Sequence, residues 1–171
     1  MEIGPVLLRL TTGLILATHG AQKLFGWFGG PGLDATSQFF ETIGFLPGRR
    51  HALMAGLAEM VGGLLLALGL FTPIGAALIC SVMLVAVTVH MKNGFLAQNG
   101  GYEYAIVLGV VALSVVFTGP GAFSLDALFR NRLSGTFWGI AALFVGALGG
   151  AFSLIQRRRT STLQAESLAD S

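Results

Sequence analysis

An all-α membrane helix bundle is the fold class this sequence predicts, and three observations predict it. Five apolar stretches, at 6–25, 52–71, 73–91, 104–117 and 136–155, recur along 171 residues, a length that fits one domain. Hydrophobic residues make up 54% of the chain and charged residues only 11%, well below the share in a soluble domain. Glycine, at 25 residues, is abundant, as it is where membrane helices pack backbone to backbone. A bilayer core of about 30 Å takes about 20 helical residues, and four of the five stretches reach or approach that length.

The first stretch reads as a retained helix. No basic residue precedes it, and His19, Gln22 and Lys23 stand where a cleaved leader would need small side chains. The glycine-rich run from Phe25 to Gly32 lacks the Lys-Ser/Thr ending of a phosphate cradle and follows no strand, so it reads as a tight turn at the membrane surface. Over 35–45, Phe39, Phe40 and Ile43 fall at helical spacing after Asp34, a plausible N-cap; this predicts a short helix lying at the interface. Pro73 suits the first turn of the third helix. The fourth runs from near Gly101 to Thr118, ahead of the breaker Gly119-Pro120-Gly121.

A second amphipathic segment is expected at 124–133, on the opposite side of the membrane. The fifth helix presents Ala142, Gly146 and Gly150 as a small-residue ridge for another helix, in this chain or in a second copy; the latter would make a homo-oligomer through that helix. Residues 1–125 thus form a four-helix unit with the interfacial segment, 126–156 a connection and fifth helix, and 157–171 a basic then polar, disordered tail. His19 precedes Gly29-Gly30, and His90 precedes Gly100-Gly101, at the same interval, a faint echo of a duplicated helix pair.

Basic residues set the orientation. If all five stretches cross, Lys23, Arg49, Arg50, Lys92, Arg157, Arg158 and Arg159 share one side, against Arg130 and Arg132 on the other. The positive side is cytoplasmic, which puts the N-terminus out and the C-terminus in. Trp27, Phe28 and Trp138 suit an aromatic belt. The net charge of +2 is scattered over helix ends, so no nucleic-acid partner is expected. Cys80, the one cysteine, excludes an internal disulfide or dithiol couple and reads as a small packing residue.

Glu59 lies in the middle of an apolar stretch. An acidic group at a helix centre costs about 2.5 to 3.5 kcal/mol to insert, so it must face the protein interior or a wet cavity and find a partner. His19 lies at similar depth, about 10 Å from the cytoplasmic end, on a stripe with Arg9, Thr12, Leu16 and Lys23. Glu59 shares its face with Gly56 and Gly63, which permits close approach. Arg9, near the far end, is expected to snorkel outward. Gln22, Lys23, His90, Asn93 and Glu103 gather in the same cytoplasmic half and predict a one-sided polar vestibule. The His19–Glu59 pair reads as either a structural tie or a proton-exchanging pair. No metal is expected, since the Glu-x-x-His spacing of bundle di-metal sites is absent.

The block His19-Gly20-Ala21-Gln22-Lys23-Leu24-Phe25-Gly26-Trp27-Phe28-Gly29-Gly30-Pro31-Gly32-Leu33 resembles the DoxX family of small bacterial membrane proteins. Further matching elements are Glu59 with Gly62-Gly63, Gly69-Leu70-Phe71-Thr72-Pro73, His90-Met91-Lys92-Asn93-Gly94-Phe95 and Gly100-Gly101-Tyr102-Glu103-Tyr104. The resemblance covers about residues 5–125 and implies a four-helix membrane bundle related to DoxD, a subunit associated with quinone-linked thiosulfate oxidation. It also implies kinship with membrane oxidoreductase complexes that handle thiol and oxidative stress. The fifth helix and the arginine tail depart from the family pattern. The expected function is a cell-membrane component of a redox system, working with a partner enzyme and a quinone. A small-solute permease and a non-catalytic scaffold subunit are the alternatives.

Overall fold

A computed structural model describes the backbone of residues 3–169 and the side chains of residues 3–157. Among the described residues seven α-helices follow in order: α1 (Ile3–Phe25), α2 (Gly32–Thr42), α3 (Gly48–Leu68), α4 (Thr72–His90), α5 (Glu103–Thr118), α6 (Leu125–Leu128) and α7 (Thr136–Ala169). Helix α1 packs on α3, α3 on α4, α4 on α5 and α5 back on α1, an up-down-up-down four-helix ring. Helix α7 lies outside the ring on α4 and α5, and α2 folds against α3 and α1.

Among the described residues, three helical stretches, Gly48–Leu68, Thr72–Asn93 and Thr136–Arg157, are long and apolar enough to cross a membrane. Five crossings were expected. Helix α1 has the length but carries Arg9, His19, Gln22 and Lys23, which lower its mean hydropathy; α5 is apolar but only 16 residues long. Both belong to the same ring, so the bundle is as expected while the apolar signal is uneven.

Glycine sets the α1–α3 seam. A Cβ added at Gly13 would come within 2.5 Å of the Gly63 carbonyl oxygen, and one at Gly20 within 2.6 Å of the Gly56 oxygen. The two antiparallel backbones therefore touch at two crossings seven residues apart, where any side chain would hold them apart. The ridge on α7 works likewise against α4: a Cβ at Gly146 would meet the Cys80 Cβ at 2.6 Å, and one at Gly150 the Ser81 carbonyl at 2.9 Å. Of the two partners the sequence leaves open for this small-residue ridge, Gly146 and Gly150 pack on α4 of the same chain.

The end of the ring where α1 begins and α3 finishes is closed. Leu16, Leu66, Ile79, Ala112, Val115 and Val116 are buried there in one apolar cluster. Arg9, expected to snorkel outward, is 4% exposed. Its guanidinium donates to the carbonyls of Ala67, Pro120 (3.1 Å) and Phe123 (2.7 Å). The last turn of α3 and the α5–α6 connection leave these carbonyls without helical donors, and a cation at a helix C-terminus suits them. Nearby Asp126, 2% exposed, accepts from the Phe71 and Thr72 amides at 2.9 and 3.0 Å and from the Thr72 hydroxyl at 2.7 Å. It thereby caps the start of α4. The expected amphipathic segment at 124–133 is instead this short, inward-tied turn, with Ser124 as N-cap.

At the other end, α2 begins at Gly32 without a side-chain cap, and Asp34 pairs with Arg49 on the surface (2.9 Å) instead of capping. Phe40 and Phe45 turn inward to form a second cluster with Ala52. Arg157 joins α7 to it, donating to the Ile43 carbonyl (2.7 Å) and lying 5.3 Å from the Phe45 ring centre. The backbone of α7 continues as helix to Ala169, where an irregular tail was expected; the stretch after Gly150 holds no glycine or proline to end it. The side-chain part of that expectation, and the backbone of the last two positions, fall outside the described residues.

Candidate functional site

Glu59 finds its partner in Lys23, not in His19. The seam explains the choice. Each step up α1 is matched by one step down α3, which sets Glu59 level with Ala17. Lys23 lies about 60° around α1 from the contact residue Gly20, and His19 about 100° on the same side, which turns the imidazole toward α5. Side chains lean toward their own helix N-terminus, so Lys23 reaches inward as Glu59 reaches outward, and they meet across the seam. His19 instead lies edge-on to Tyr104, with ring centres 6.1 Å apart.

Two cavities flank this ion pair. The larger, about 520 Å³, lies among α2, α3, α4 and α7 and is walled by Phe39, Phe40, Phe45, Val82, Val85 and Val89. Met54, Leu57 and Val61 border it and are exposed along the outer flank of α3, so this cavity opens sideways toward the surroundings of the bundle. Its polar groups are few: Lys23, Glu59, His51, His90, Ser81 and Ser153. The smaller cavity, about 400 Å³, lies within the ring among α1, α3, α4 and α5. Leu16, Met83 and Leu108 line it, and His19, Lys23, Glu59, His90 and Tyr104 supply its polar groups. Its rim is formed by Ala97, Gly100 and Gly101 of the connection between α4 and α5. Lys23, Glu59, Ala86 and His90 line both cavities.

Of the residues expected at a vestibule, His19, Lys23, Glu59 and His90 therefore come together. Gln22, Asn93 and Glu103 do not line either cavity. The Gln22 amide bridges the His19 Nδ1 (3.2 Å) and the Phe28 carbonyl (3.3 Å). Asn93 donates to the Gly100 carbonyl at 3.0 Å, and Glu103 accepts from the Ala97 amide at 3.0 Å. They hold the turns around the site, because glycine-rich connections leave backbone groups that side chains must satisfy. The echo of two histidines is also unequal: His90 Nδ1 bonds Gly100 O (2.9 Å), whereas His19 bonds its own helix neighbour.

Sequence reading missed His51. It is buried, faces the larger cavity, and its ring centre lies 5.2 Å from that of Phe45. It follows Arg49-Arg50, ahead of the apolar stretch at 52–71, and the start of α3 at Gly48 turns it inward. Asp126 was missed for a similar reason, since nothing in the sequence ties it to Thr72.

The arrangement can hold an apolar guest that enters sideways, present an ammonium and a carboxylate at its inner end, and connect that end to a second, more polar space. Pockets of this size, mostly apolar with a few convergent polar groups, are typical of small-molecule sites.

Comparison with known proteins adds identity of family. The family model described as DoxX matches residues 4–91. A Bacillus subtilis (strain 168) protein named "Putative oxidoreductase CatD" is 34% identical over 136 residues, covering 78% of this chain and 93% of that protein. "Uncharacterized membrane protein Rv3486" of Mycobacterium tuberculosis is 28% identical over 141 residues, 74% of this chain and 82% of its own length. An uncharacterized protein of Haemophilus influenzae is 38% identical over 110 residues, 58% of this chain and 82% of that protein. No solved structure matches the chain significantly.

Proposed function

Because the chain belongs to the DoxX family and is a membrane protein with an oxidoreductase-named relative, we propose that it is the membrane component of a redox system and binds a quinone in the larger cavity. The observation that carries this reading is the Lys23–Glu59 pair at the inner end of an apolar cavity whose mouth faces sideways. A lipid-soluble carrier needs a lateral entrance, an apolar channel for its isoprenoid tail and a polar anchor for its headgroup, and the residues fit each need. Phe39, Phe40, Val82 and Val85 would flank the tail. Lys23 would donate a hydrogen bond to a carbonyl oxygen, and Glu59 would hold a proton beside it.

A quinone supplies the means to carry two electrons and two protons. The protein's own part is to bind, orient and handle protons. Cys80 is the only cysteine, so electrons come from a partner enzyme and not from an internal dithiol. The membrane is the cytoplasmic one, with Lys23, Arg49, Arg50 and Lys92 on the inner side.

Two features weigh against the other readings. A permease needs a polar route to both sides, yet the far half of the ring is an apolar cluster beneath the tied Arg9. A purely structural ion pair would serve to dock α1 on α3, yet four glycines already bring those backbones into contact. The test is purification from native membranes in mild detergent, with solvent extraction of bound lipids. Quinone retained by the wild-type chain and lost in Lys23→Met and Glu59→Gln supports the reading; protein that never carries quinone removes it.

A further inference from the structure

The proposed quinone site makes no use of the smaller cavity, which shares Lys23, Glu59 and His90 with the larger one. We infer that it is a one-sided proton inlet: water enters past Ala97, Gly100 and Gly101, and His90 and His19 relay protons to Glu59.

The hydrogen bonds of the two histidines support this role. His90 Nδ1 lies 2.9 Å from the Gly100 carbonyl oxygen, which can only accept, so Nδ1 carries the hydrogen. His19 Nδ1 faces Gln22 Oε1 at 3.2 Å, and the same amide's Nε2 donates to the Phe28 carbonyl, which fixes its orientation. Nδ1 therefore carries the hydrogen there too. In both rings Nε2 is left as the nitrogen that takes up and gives up a proton, the arrangement that suits imidazole to relay work. The step is a plain transfer: a protonated Nε2 passes its proton through water in the shared cavity to the Glu59 carboxylate, and the neutral ring takes up another from hydronium at the rim.

The titratable groups facing Glu59 are Lys23 and His19 from α1, His51 from α3, His90 from α4 and Tyr104 from α5. Of these, His19 and His90 are the imidazoles that line the inlet, whereas His51 faces only the larger cavity. One-sidedness follows from the far end of the ring, which the apolar cluster of Leu16, Leu66, Ile79 and Val116 closes. Redox chemistry at this site would then exchange its protons only on the side where α1 and α4 end.

The inference rests on the reading that Glu59 exchanges protons, but its readout needs no quinone, so the two fail separately. The full chain is placed in phosphatidylethanolamine–phosphatidylglycerol vesicles, sorted by orientation through a C-terminal tag. Time-resolved infrared spectroscopy follows the Glu59 carboxyl band, identified by its loss in Glu59→Gln, after light-triggered release of a caged proton. Protonation is expected to be at least about tenfold faster from the α1 and α4 C-terminal side than from the other, and slowed at least about tenfold in the His19→Asn, His90→Asn double variant. Asparagine keeps a donor in place of Nδ1 and removes Nε2. Ala97→Trp, which blocks the rim without removing an ionisable group, should slow it similarly. Equal rates from both sides, wild-type rates in both blocked variants, or a Glu59 that stays ionised at every pH where the protein is folded would overturn the inference.

Discussion

Lys23 and Glu59 meet across a seam that brings together residues 36 positions apart, and they meet unequally: the lysine side chain keeps 27% of its exposure and the carboxylate only 6%. The ammonium can swing outward if it loses its partner, and the carboxylate cannot. This asymmetry governs how the pair responds to substitution.

Lys23→Met should destabilise the protein more than Glu59→Gln does. The first leaves a buried charge unpaired, at a cost of about 2 to 3 kcal/mol, and the second leaves a lysine that finds water, at about 1 kcal/mol. Combining Lys23→Met with Glu59→Gln should recover most of the loss. Thermal unfolding in detergent measures all three; equal losses in the two single variants would contradict the asymmetry.

The seam itself is less tolerant. Gly13→Ala and Gly20→Ala each place a methyl against backbone oxygen on α3, and each should cost about 1 to 3 kcal/mol or more. Gly4→Ala is the control, since nothing lies within 4 Å of that position. Unfolding midpoints of the two seam variants that match the control would show that α1 and α3 do not touch there.

Arg9→Lys should fail to replace Arg9. The guanidinium serves three carbonyls in a fixed fork, and an ammonium cannot reach all three, so a loss of about 1.5 to 3 kcal/mol is expected. Yield of folded protein and its melting temperature would report this. A wild-type melting temperature in the lysine variant would mean the arginine is not a tie.

Filling the larger cavity separates binding from folding. Ala58 lines this cavity, and Ala58→Phe adds a ring to its apolar wall without removing a polar group. Quinone retention should fall by at least about tenfold, with little change in stability. Undiminished retention would place the quinone elsewhere.

A reporter fused after Ser171 should be active in the cytoplasm, since the ends of α1, α4 and α7 share the side rich in lysine and arginine. Activity on the outer side would invert the orientation of both cavities.

How much of this was legible in the chain differs by residue. Apolar length and composition gave the helices, and the helical repeat put Gly56, Glu59 and Gly63 on one face. The cost of an unpaired acid in lipid marked Glu59 as a site. The partner was misassigned because depth was counted from segment ends, and the true start of α3 at Gly48 lies four residues earlier than hydropathy suggests. Polar residues at 48–51 hide that turn of helix. Gln22, Asn93 and Glu103 looked like site residues for a related reason: sequence shows a polar side chain near a helix end without showing which backbone groups need it.

The sequence by itself determined a membrane helix bundle, small-residue faces at Gly56 and Gly63 and at Ala142, Gly146 and Gly150, and the need to neutralise one buried acid, because length, periodicity and desolvation act locally along the chain. The tertiary structure alone decided that Lys23 answers Glu59, that Arg9 turns inward, and that two cavities share one ion pair. Those outcomes depend on the angle at which each side chain leaves its helix and on the register between helices, and register is set only when the backbones meet.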